Sequence, residues 1–130
     1  MVGVGLAALS GMAQAQDNSP ATQESRLVQR LRALIDQHYL EHWQVTDYAR
    51  ALSVSTTHLS RVTRAATGTP ASALIEARLL REARRHLAYT HLSITTIAYA
   101  LGYSDPAYFT RVFTRDAGIS PRRFRARLTA

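Results

Sequence analysis

SITTIAYALGYSDPAYFTRVFTRDAGISPRRFR, residues 93–125, decides how the rest of the chain is read. Ile94, Ile97, Ala98 and Leu101 recur at helical spacing and form one apolar face. Gly102 follows, a residue free to take the positive φ that a sharp helix–helix turn needs. Asp105-Pro106 is a helix start, an acceptor for the first free N–H groups followed by a residue pre-set in φ. Tyr108, Phe109, Val112 and Phe113 are expected on the buried side of this second helix, with Thr110, Arg111 and Arg115 elsewhere on it. Gly118 ends it and Ser120-Pro121 opens a third helix. The stretch reads as a helix-turn-helix whose second helix carries arginine.

The same residues resemble the signature of the AraC/XylS-type bacterial transcription regulators. The match rests on Ile94, Ile97-Ala98, Leu101-Gly102-Tyr103, Asp105, Tyr108-Phe109, Arg111, Phe113, Gly118, Ser120-Pro121 and Phe124-Arg125. It extends over about residues 25–128. The resemblance implies a DNA-binding domain, and transcription regulation, with activation the expected sign.

Working outward, residues 45–68 repeat the pattern. Ala49, Leu52 and Ser55 correspond to Ala98, Leu101 and Ser104 at an offset of 49. Leu59, Arg61, Val62 and Gly68 correspond to Phe109, Arg111, Val112 and Gly118 at an offset of 50. Ser53 stands where the second copy has Gly102. A left-handed serine costs roughly 1 kcal/mol, so the first turn is expected to differ slightly from the second.

Between the copies, residues 70–90 read as one long helix, with Thr69 as cap and Pro70 in the first turn. Ile75, Leu79, Ala83 and Leu87 form its apolar stripe; Arg81, Arg84 and Arg85 project around the rest. Some twenty residues span roughly 30 Å, close to the roughly 34 Å turn of B-DNA. One chain can then set two recognition helices in successive major grooves. Upstream, Leu27, Leu31, Leu34 and Ile35 give a helix starting near Ser25 and ending near Tyr39. The expected fold class is all-α: two helix-turn-helix subdomains, 45–68 and 94–118, joined by the linker helix, about seven helices in total.

Composition agrees with a polyanionic partner. The net charge is +7, and all sixteen basic residues are arginine. With no cysteine, disulfides, thiolate metal sites and cysteine nucleophiles are excluded. His38 and His42 are spaced like a metal pair but lack a third ligand, so they read as helix-end histidines and no metal or cofactor is expected. No nucleophile elbow, phosphate-cradling loop or carboxylate pair points to an enzyme. Residues 1–24 are expected to be a poorly ordered tail: an apolar 1–16, too short to cross a membrane, then a polar linker from Asp17 to Gln23. No Lys or Arg precedes the apolar run, which argues against a secretory signal. The Gly3–Ala8 glycine pattern has no strand before it to make a dinucleotide loop. A cytoplasmic location is expected.

Carried over from the family, the base-reading positions are Thr57, Ser60 and Arg61 in the first copy. In the second they are Pro106, Ala107, Thr110 and Arg111. An arginine can hold guanine O6 and N7 with two hydrogen bonds, a Thr or Ser can bond either way, and an alanine can touch a thymine methyl. Arg64, Arg115, Arg122 and Arg123 suit phosphate contacts. Double-stranded DNA is the expected partner, with RNA polymerase a second candidate. The competing class is a helical protein-interaction module, binding polymerase or a partner regulator without reading DNA. Duplicated arginine-bearing helices at one-turn spacing favour DNA.

Overall fold

A computed structural model describes residues 19–129. Among these residues the chain forms seven α-helices, one 3-10 turn and no strand. The helices are α1 (Pro20–His38), α2 (Val45–Ala51), α3 (Thr56–Thr67), α4 (Ala71–Tyr89), α5 (Ile94–Ala100), α6 (Pro106–Ala117) and α7 (Pro121–Thr129). The expectations about the apolar run 1–16, its glycine pattern and its ordering lie outside the described residues.

Local chemistry sets most boundaries. Ser55 Oγ accepts from the His58 N–H at 3.0 Å, and Asp105 Oδ1 from the Ala107 N–H at 3.0 Å, so α3 and α6 begin where their cap side chains satisfy free donors. Both helices stop at a left-handed glycine, Gly68 at φ 80° and Gly118 at φ 82°. Helix α1 starts at Pro20, earlier than Ser25, so residues 20–24 are helix and not a polar linker or poorly ordered tail. Its first turn buries nothing, so apolar periodicity is silent there; the Ser19 cap and Pro20 carry the start. Pro70, not Thr69, caps α4, because its ψ of 165° is extended.

The two helix-turn-helix turns match closely. After α2, the Ser53 N–H donates to the Arg50 carbonyl at 3.1 Å and the Val54 N–H to Ala49 at 3.0 Å. After α5, Gly102 donates to Tyr99 and Tyr103 to Ala98, both at 3.0 Å. Ser53 takes φ 58°, so the expected difference between the turns is absent: the same hydrogen bonds hold serine in the left-handed region.

The molecule has two cores, and α4 contributes to both. Leu27, Val28, Leu31 and Ile35 of α1 pack with Tyr48, Leu52, Leu59, Val62 and Ala71, against which Leu74 and Ile75 lie half-buried. Leu80, Ala83 and Leu87 pack with Ile97, Ala98, Leu101, Phe109, Val112 and Phe113. The linker is therefore a wall of each subdomain as well as the spacer between them. At its middle, Arg78 Nε donates to Asp36 of α1 at 3.0 Å, and its guanidinium lies 3.9 Å from the Tyr39 ring centroid. The Tyr39 hydroxyl donates to the buried Glu82 at 3.0 Å. These contacts brace the end of α1 against the junction of the two halves.

Candidate nucleic-acid interface

Helices α3 and α6 present equivalent faces. Leu59, Val62 and Thr63 turn α3 inward, leaving Thr57, Arg61 and Arg64 exposed at helical spacing on its outer side. Phe109, Val112 and Phe113 turn α6 inward, leaving Ala107, Arg111 and Arg115 exposed. Ser60, Pro106 and Thr110 are half-buried at the margins of these faces. The structure thus brings the seven base-reading candidates onto two matching helix faces, one in each copy.

Each central arginine rests on a ring one turn earlier. Arg61 Nη2 donates to His58 Nδ1 at 2.9 Å; a guanidinium has only donors, so that nitrogen is the acceptor. Arg111 Cζ sits 5.8 Å from the centroid of Tyr108. Neither arginine has an ion pair among the described residues, so no carboxylate there neutralises its charge.

This assigns Tyr108 a different place from the one its sequence suggested. It is 47% exposed, not core. One residue along a helix is a rotation of about 100°, so Tyr108 cannot share the inward arc of Phe109. It packs instead beside Tyr103, 6.2 Å between centroids. Phe109 and Phe113 are core, and Phe124 is half-buried edge-on to Phe113 at 5.5 Å. Burial, then the Glu76 carboxylate and Tyr108, push the Tyr103 hydroxyl up to about 12, so it stays neutral.

Arg64, Arg122 and Arg123 are exposed and carry no ion pair among the described residues. Arg115 is also largely exposed, with Nη2 3.9 Å from Glu76 of α4. Other arginines serve the fold. Arg84 pairs with Asp116 at 3.0 Å, Arg78 with Asp36, and Arg125 donates to four main-chain carbonyls. Thr95, which sequence reading passed over, lines a shallow cleft of about 320 Å³ with Pro106, Ala107, Thr110, Ser120 and Arg122. Its only sequence signal is a hydroxyl in the first turn of α5. His38 and His42 do not converge on a metal site: His38 stacks on Trp43 at 3.8 Å, while His42 Nε2 lies 3.1 Å from the Ala100 carbonyl. Among the described residues no group of three or more His, Asp or Glu side chains is placed to hold a metal ion, and no helix is long and apolar enough to cross a membrane.

Known proteins share this arrangement. The family described as a helix-turn-helix domain matches residues 48–127. The HTH-type transcriptional regulator ExsA of Pseudomonas aeruginosa is 31% identical over 101 residues, 78% of this chain and 36% of the relative. The HTH-type transcriptional activator RhaS of Yersinia pestis is 36% identical over 107 residues, 82% of this chain and 38% of the relative. The chain therefore spans between 36% and 38% of the length of these two relatives. Among solved structures, an AraC-type DNA-binding regulator from Chromobacterium violaceum superposes with a TM-score of 0.75 at 27% identity, covering 80% of this chain and 93% of that one. The C-terminal domain of AraT, a response regulator from Geobacillus stearothermophilus, gives 0.71 at 29% identity, covering 83% and 85%. With the matched region spanning both recognition helices and the linker between them, the chain belongs to the AraC/XylS-type family of helix-turn-helix transcription regulators.

Proposed function

We propose that this chain is the DNA-binding unit of a cytoplasmic transcription activator that reads two successive major grooves of one duplex, its domain running over about residues 25–128 and extended to Pro20 by α1. The observation that carries the reading is the pair of matching outward faces on α3 and α6, each centred on an arginine held by a neighbouring ring. Arg61 and Arg111 pair with guanine, with Thr57, Ser60, Pro106, Ala107 and Thr110 shaping the contact around them. Arg64, Arg115, Arg122 and Arg123, with the Thr95 hydroxyl, meet phosphates. The names of ExsA, a transcriptional regulator, and RhaS, a transcriptional activator, support regulation and activation. RNA polymerase is the second candidate partner.

Salt dependence tests the electrostatic part. Four phosphate contacts give a slope of log K on log salt of about −3.6. Affinity for duplex should therefore fall about two orders of magnitude for a fourfold rise in salt. A slope shallower than about −1 would count against DNA as the partner and favour the protein-interaction reading.

Arg111 tests base reading. Arg111→Ala should weaken the selected site by about 1–3 kcal/mol and relax preference at one base pair. Arg115→Ala should weaken all sequences alike and flatten the salt slope by about one unit. If Arg111→Ala keeps the wild-type base preference, Arg111 is a phosphate contact.

A further inference from the structure

The two copies use the same turn with different residues, and the reason lies outside both turns. Ser53 sits at φ 58° and Gly102 at φ 92° under equivalent hydrogen bonds. Positive φ alone therefore does not demand glycine here. At Gly102, however, a Cβ would stand 2.8 Å from both Cγ and Cδ2 of His42. Position 102 must stay bare because the imidazole of His42 lies on it.

His42 belongs to the first subdomain, in the corner between the 3-10 turn (Tyr39–Glu41) and α2. It holds a left-handed backbone, φ 60°, that few non-glycine residues adopt. The corner is fastened on both sides. His38 pairs with Glu41 and stacks on Trp43, whose ring meets the buried Tyr48 at 5.1 Å. From there the His42 ring leaves its own subdomain, and Nε2 donates to the Ala100 carbonyl at 3.1 Å. That carbonyl is in the last turn of α5, where main-chain acceptors lack intrahelical partners. Among the described residues this is the one hydrogen bond that joins α1–α3 directly to α5–α7; the others across the molecule run through α4.

We infer that His42 is a positioning residue: it clamps the turn before α6 to the first subdomain and thereby fixes the angle between the two recognition helices. The inference rests on the two-groove reading for its consequence in DNA, where it makes His42 a determinant of half-site spacing without touching a base. The α4 helix, packed into both cores, sets the distance between the copies and their coarse orientation, and contacts off α4 refine the angle between them. His42 supplies such a contact at the turn from which α6 departs.

The test uses the whole chain, which has no cysteine of its own. Spin labels at Ala66→Cys in α3 and Ala126→Cys in α7, both exposed, report the distance between subdomains. The unsubstituted background should give one narrow distance, and His42→Ala a broad one at unchanged helical content. On duplexes with the two half-sites moved apart in single base-pair steps, the wild type should prefer one spacing sharply. His42→Ala should bind two or more spacings within about twofold of one another, lose about tenfold on the best full site, and keep wild-type affinity for a single half-site. Gly102→Ser, which copies Ser53, should also lose about tenfold on the full site. Adding His42→Ala to it should cause no further loss, since both changes break the same contact.

A His42→Ala protein with a narrow distance and an unchanged spacing preference overturns the clamp, as does a Gly102→Ser protein that binds like wild type. Failure of the wild type to select any duplex overturns the two-groove reading instead, whatever the label distances show.

Discussion

Arg125→Ala should lose about 3 kcal/mol of stability, centred on the second subdomain, when urea unfolding is followed by circular dichroism. The guanidinium reaches from α7 across to the end of α4. Nε donates to Leu87 at 3.1 Å, Nη1 to Leu92 at 2.6 Å, and Nη2 to His86 at 3.3 Å and Thr90 at 3.2 Å. These carbonyls lie at the negative end of α4 and in the loop after it, where a cation is favoured twice over, by hydrogen bonding and by the helix dipole. Truncation leaves the part-buried Leu87 and Thr90 carbonyls without donors, each costing about 1–3 kcal/mol, partly recovered where water enters, while His86 keeps the Thr90 N–H. A folded domain has only about 5–15 kcal/mol to lose. Arg125→Lys should recover less than half, because one ammonium cannot fan out over four acceptors as a planar guanidinium does. A loss below about 1 kcal/mol, or full recovery with lysine, would show that this cluster is incidental.

Ala77→Pro is the second large effect. Ala77 is exposed at the middle of α4, between Ile75 of the first core and Leu80 of the second. Proline there removes the N–H bonded one turn back and collides with that carbonyl, costing about 3 kcal/mol or more and kinking the helix. Both cores lie to either side of the kink and should keep most of the helical signal. Binding to a site with two half-sites should collapse towards the affinity of one. Ala83 is unsuited to this test, since it is fully buried in the second core and proline there would unfold it. Ala77→Gly, at about 1 kcal/mol without a kink, is the control. If Ala77→Pro stays helical and protects both half-sites in footprinting at wild-type affinity, α4 is no rigid spacer.

Both effects turn on arginines and helix faces whose roles were only partly legible in the sequence. Cap chemistry is local, so Asp105-Pro106 and Gly118 mark the ends of α6 directly, and the duplication at offsets 49 and 50 carries the pattern over to α3. The start of α1 is silent in the apolar pattern because its first turn buries no side chain. Tyr108 reads as core in the sequence because an aromatic beside Phe109 looks apolar in one dimension; in the helix it points about 100° away. Sixteen arginines could be counted, but nothing in their order says that Arg78, Arg84 and Arg125 are taken up by Asp36, Asp116 and the end of α4.

What the sequence by itself determined is what depends on near neighbours: the existence of the helices, the two ends of α6, the repeat and the outward position of Arg61 and Arg111. Three- and four-residue spacing places those side chains before any tertiary contact forms. Only the tertiary structure decided which charges remain unpaired, that α4 serves two cores, and that His42 closes on Ala100 across 58 positions of chain. Such contacts depend on how the two subdomains pack against α4, and no local pattern of residues records that packing.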